Sequence, residues 1–169
     1  MKIKKFIISA LFLAIGFILH QLTPPFLFGM KPDFLLVMMF IAIFAAEDYK
    51  LTICIGLISG LLTAATTTFP GGQISNIIDK IITSQIVYIM FKLLRYKLNK
   101  NISMILIAVI GTFISGIIFL TSAFFIVGLP ITFKALVLTV VLPATVVNSI
   151  VSFIIFKIVN TALKYSIQN

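Results

Sequence analysis

Asp79 and Lys80 lie side by side inside the apolar stretch Ile74 to Leu94, in company with Asn76, Thr83, Ser84 and Gln85. Asn76, Asp79 and Thr83 follow i, i+3, i+7 spacing, and Lys80, Ser84 and Tyr88 follow i, i+4, i+8, so on a helix they form two adjacent polar stripes on one side. A carboxylate beside an ammonium complements a zwitterion. The same pair could instead mark a helix start at the headgroup level of a membrane. Just before it, the segment Thr66 to Asn76 contains Pro70, Gly71, Gly72 and Gln73. Glycines beside a helix start allow close backbone approach and leave N–H groups suited to a carboxylate, though a plain turn between helices has the same composition. A second opposite-charge pair, Lys31 and Asp33, follows Pro24 and Pro25 in the segment His20 to Asp33. A surface ion pair is the alternative there. His20 is the one histidine of the chain; with no second to continue a proton relay, it reads as an interfacial packing residue.

Other chemistry is excluded by what is missing. No glycine–lysine dipeptide occurs, hence no phosphate-cradling loop of the Walker type. One histidine and one cysteine, Cys54, cannot build a zinc site, and neither HExxH nor Gly-x-Ser-x-Gly is present. Asp33 and Asp79 could form an acid pair, but each has a lysine close by in sequence, which favours two ionised carboxylates over a shared proton. The chain reads as a non-enzyme with no cofactor and no metal.

The elements that must hold these residues are set by composition. Of 169 residues, 61% are hydrophobic and 10% charged, with a mean hydropathy of +1.24, whereas soluble domains average about 45–50% apolar and about 25% charged. A spanning helix takes about 20 apolar residues, so the length leaves room for roughly six spans and no soluble catalytic domain. Six runs are visible: Phe6 to Leu19, Phe34 to Ala46, Leu51 to Phe69, Ile74 to Leu94, Ile102 to Val127 and about Ile131 to Val159. The first lacks a cleavage site and reads as a retained helix. The second has only 13 residues and needs a tilt, or help from Met30 to Asp33, to span. Continuously apolar runs do not suit a barrel. The expected fold is therefore an all-α, six-transmembrane-helix bundle forming one integral membrane domain over 1–169.

Net charge is +9, from 13 Lys and Arg against 4 Asp and Glu. With the amino terminus inside, Lys2, Lys4, Lys5, Lys50, Lys92, Arg95, Lys97, Lys100, Lys157 and Lys164 fall on one side, and Lys31, Lys80 and Lys134 on the other. This positive-inside bias puts both termini in the cytoplasm. The three outer cations then stand out, because ionisable groups at membrane depth cost roughly 2.5–3.5 kcal/mol on insertion scales and usually face a protein interior or a wet cavity. Small-xxx-small patterns, Ala10 to Ala14 and Gly56 to Gly60, permit close helix contact, within the bundle or with a partner.

Six helices in under 200 residues, an alanine pair at four-residue spacing in the first and polar outer loops resemble the substrate-binding, or S, component of energy-coupling factor transporters. More narrowly, Gly29-Met-Lys-Pro-Asp33 and the block Thr67 to Lys80 resemble the tryptophan-transport protein family of Firmicutes. The resemblance implies a multi-pass protein of the bacterial cell membrane that takes substrate from outside and docks on a transmembrane coupling protein driven by two cytoplasmic ATPases. Ala10 and Ala14 would contact that coupling protein.

Tryptophan would suit the residues already singled out. Its zwitterion would be held among Lys31, Asp33, Asp79 and Lys80, with Gln73 and Asn76 adding neutral hydrogen bonds. Phe69 and Phe40 are the choices for the indole slot, and Asn148 could floor the site or make an interhelical hydrogen bond. The alternative function is a stand-alone, ion-coupled secondary permease for a small amino acid or vitamin.

Overall fold

The apolar runs fold as helices joined by short connections: α1 (Lys2–Leu22), α2 (Phe34–Ala46), α3 (Tyr49–Ala65), α4 (Gln73–Leu94) and α5 (Lys100–Ile126). A sixth, α6, begins as one turn at Phe133–Leu136, widens into a π segment at Val137–Val141 and continues through Leu142–Gln168. The computed structural model describes residues 2–24 and 33–168, with side chains described over 3–24 and 33–162. Every regular element among the described residues is helical, as the continuously apolar runs require. Three helices, over Ile3–Leu22, Lys100–Ile126 and Phe133–Ala162, are long and apolar enough to cross a membrane, and the chain forms an all-α membrane bundle of six helices.

The 13-residue α2 is about 20 Å long at 1.5 Å per residue, short of a hydrocarbon core of about 30 Å. It solves this by position. Leu35 through Ile43 and Ala46 are all buried, and α2 packs against α1, α3, α4, α5 and α6. A helix apolar on every side has no polar face to turn outward, so it becomes the centre of the bundle. No helical extension through Asp33 is used: the Asp33 carboxylate accepts from the Leu36 N–H at 2.9 Å and caps α2. At the other end Glu47 takes a left-handed φ of 52°, and Lys5 Nζ donates to the Ala46 carbonyl at 2.7 Å.

The third run stops being helical at Ala65, four residues before the expected Phe69. Thr66 Oγ1 donates to the Leu62 carbonyl and Thr67 Oγ1 accepts from the Phe69 N–H. Local hydroxyl bonds of this kind, followed by Pro70, draw the backbone out of the helix. In α6 the bulge also has a local cause. Leu142 N–H reaches back five residues to the Val137 carbonyl, and Pro143, next in line, has no N–H to offer.

Close approach of α3 and α4 is permitted by Gly56 and Gly60. A Cβ on Gly60 would stand 3.0 Å from the Ile77 Cα, and one on Gly56 would overlap the Ser84 side chain. The Gly56-to-Gly60 spacing thus serves packing inside the bundle. The basic residues Lys4, Lys5, Lys50, Lys92, Arg95, Lys97, Lys100 and Lys157 lie at the end that holds the start of α1 and the α2–α3 and α4–α5 connections. The opposite end holds the end of α1 and the starts of α2, α4 and α6.

Candidate functional site

At that second end, between the helices, lies a cavity of about 310 Å³. Its wall draws on every helix of the bundle and on the α3–α4 connection, including His20, Asp33, Thr63, Thr66 to Phe69, Asn76, Asp79, Lys80, Ser115 and Asn148.

Lys80 is the hub of the polar part. Its Nζ donates to Asp79 Oδ2 at 2.8 Å, to Asp33 Oδ2 at 3.1 Å and to Ser115 Oγ at 3.5 Å. Asp79 is closed in by protein: Oδ1 accepts from Thr83 Oγ1 at 2.8 Å, and Oδ2 also accepts from Ser115 Oγ at 2.8 Å. The side chains of Lys80 and Asp79 are 3% and 2% exposed. Asp33 stands at the edge of this network with its side chain 22% exposed; its N–H donates to Asn148 Oδ1 at 2.9 Å, and His20 Nδ1 lies 3.6 Å from its Oδ1. Such an arrangement holds charges of both signs in a buried setting where each is paired and hydrogen-bonded, the condition under which buried ions persist.

Thr63, Thr66, Thr67, Thr68, Thr112 and Asn76 also line the wall, and the remainder is apolar. Phe69 and Phe119 meet edge to face with centroids 5.3 Å apart, joined by Leu36, Leu120, Leu136, Val140 and Val141. Gly116 of α5 lets the π segment come in: a Cβ there would be 2.6 Å from Val141 Cγ1. The chemistry available is recognition of a small amphipathic molecule by a charged end and an aromatic slot; among the described residues no group of His, Cys, Asp and Glu is placed to hold a metal ion.

The tryptophan transporter family, TrpP, matches this chain over residues 2–164. The chain belongs to that family. A probable tryptophan transport protein of Clostridium acetobutylicum is 55% identical over 164 residues, covering 97% of this chain and 96% of that protein. One of Bacillus subtilis strain 168 is 49% identical, covering 98% and 96%, and one of Clostridium perfringens is 42% identical, covering 93% and 91%. No solved structure matches the chain.

In this member of the tryptophan transporter family, Asp33, Phe69, Asn76, Asp79, Lys80 and Asn148 all line one cavity. Lys31 lies outside the described residues. Two expected site residues are elsewhere. Phe40 is 1% exposed in the hydrophobic core, its ring packed against Gly111, because every face of the central α2 is covered by another helix. Gln73 is exposed at the first position of α4; it shares the Lys80 face but stands about two turns nearer the end of the bundle, beyond the rim of the cavity. Asp79 and Lys80 are buried rather than at a headgroup-level helix start.

Sequence reasoning passed over His20 as a cavity residue, and over the α5 and α6 contributions Thr112, Ser115, Gly116, Phe119 and Val141. Ser115 and Thr112 carried one readable signal, polar residues at i and i+3 in the middle of a largely apolar run. The Val141 position depends on the π segment and had none. Ala10 and Ala14 are exposed on the outer face of α1, in a strip with Ile7, Leu11 and Ile18.

Proposed function

We propose that this protein is the substrate-capturing S component of an energy-coupling factor uptake transporter, and that its substrate is tryptophan. One observation carries the reading: a single cavity that joins a buried cluster of opposite charges to a wall of aromatic and aliphatic side chains. Its volume falls at the lower end of the range of about 300–1,000 Å³ usual for small-molecule sites. Burial of an indole removes about 150–250 Å² from water and supplies much of the binding energy, while the charged cluster orients the amino-acid head. Family membership supports the substrate.

The protein sits as a multi-pass span in the bacterial cell membrane. Positive residues gather at the end opposite the cavity, so by the positive-inside bias the cavity opens to the exterior. The chain has no nucleotide-binding loop; uptake draws its energy from a transmembrane coupling protein and two cytoplasmic ATPases. The exposed Ala10 and Ala14 strip, small and close-fitting, is where the coupling protein docks.

Equilibrium binding to purified protein, with tryptophan compared against phenylalanine, riboflavin and biotin, tests the substrate. Saturable binding of tryptophan alone is expected; its absence removes the substrate assignment. Ala10→Trp and Ala14→Trp test the docking face: each should abolish uptake in cells and leave binding to the purified protein intact. Uptake by the protein alone in liposomes, driven by an ion gradient and indifferent to ATP, would instead make it a self-contained permease.

A further inference from the structure

Lys80 has three N–H donors, and the structure accounts for all three: Asp79 Oδ2, Asp33 Oδ2 and Ser115 Oγ. Nothing is left on it for an incoming carboxylate. Asp79 is enclosed by the protein, with Thr83, Ser115 and Lys80 filling three of its about four acceptor sites and 2% of its side chain exposed. Asp33 differs. One oxygen caps α2 with His20 Nδ1 3.6 Å away, and the other meets Lys80, yet its side chain is 22% exposed and lines the cavity. A buried hydroxyl without a protein partner lies one turn from Ser115 along α5: Thr112, 4% exposed, lines the cavity.

We propose that Asp33 is the ammonium-recognising residue of this cavity: the amine of the ligand docks on the open side of the Asp33 carboxylate, near Asn148, and its aromatic body lies along Phe69, Phe119 and Val141. Asp79 and Lys80 are positioning residues that hold the Asp33 carboxylate in place. The ligand class follows as aromatic primary ammonium compounds, in which the α-carboxylate is the lesser determinant. This assignment rests on the tryptophan reading and deepens it.

The test uses the full chain, purified in detergent. The chain contains no tryptophan, so indole fluorescence reports the ligand alone. Tryptophan is compared with tryptamine, which keeps the ammonium and lacks the carboxylate, and with indole-3-propionate, which does the reverse. Tryptamine should bind within about tenfold of tryptophan, and indole-3-propionate about 30-fold or more weaker, the loss expected when a buried charge goes without its partner. Asp33→Asn keeps a side chain able to cap α2, so helicity should hold even where loss of the charge facing Lys80 lowers the melting temperature, while the preference for tryptamine over the propionate collapses. If the propionate competes at least as well as tryptamine, or if folded Asp33→Asn keeps the preference, the ammonium assignment is overturned while tryptophan binding still stands. If none of the three compounds binds, the tryptophan reading falls, and the assignment with it.

Discussion

A carboxylate buried as completely as Asp79 needs hydrogen-bond donors around it, and here Thr83, Ser115 and Lys80 supply them. Asp79→Asn should therefore act first on stability, lowering it by about 1–3 kcal/mol as buried donors lose their acceptor; thermal melting in detergent measures this. Thr112 presents the opposite case, a buried hydroxyl without a protein partner. Thr112→Val keeps the shape and removes the unsatisfied group, so the melting temperature should hold or rise. If the ligand head uses that hydroxyl, tryptophan affinity falls by about 1 kcal/mol, roughly fivefold, in the same preparation. Residue types at this scale were largely legible in advance: charges at membrane depth attract attention whatever the fold. Their partners were not, since Lys80 finds Asp33 47 positions away and Asp33 finds Asn148 115 positions away.

Helix existence was legible from the apolar runs, and both ends of α2, α4 and α5 fell within two residues of expectation, whereas α1 starts at Lys2 and α6 runs on to Gln168. The misplaced end of α3 and the π segment of α6 both came from local hydrogen bonding that apolar periodicity does not register: threonine hydroxyls in one, a proline without an N–H in the other. That π segment matters because it brings Val141 onto Gly116 and closes the cavity wall. Gly116→Val should drive two side chains into one space, costing about 1–3 kcal/mol as overpacking does, and should narrow the cavity. Melting and tryptophan binding on one preparation check both, with binding expected to fall further than the stability loss alone would explain.

Across the whole molecule, basic residues and the cavity occupy opposite ends. On that basis an impermeant maleimide should label Thr68→Cys in intact cells and miss Lys97→Cys, each made with Cys54→Ala so that the exposed native thiol does not report. Tryptophan should slow labelling at Thr68→Cys, which lines the cavity; at 100 times its Kd, bound ligand should also stabilise the fold by about 2.7 kcal/mol. The sequence alone determined that this is a six-helix membrane protein, which end carries the cations, and which few polar residues had to be sheltered, because burying apolar surface and siting charge are governed by composition along the chain. Tertiary structure decided that α2 is the central helix, that Phe40 is core and Gln73 lies outside the cavity, and that one lysine serves two aspartates from distant segments. Those outcomes depend on how helices rotate and approach one another, which is settled by close contacts such as Gly60 on Ile77 and Gly116 on Val141 and is invisible to any local pattern.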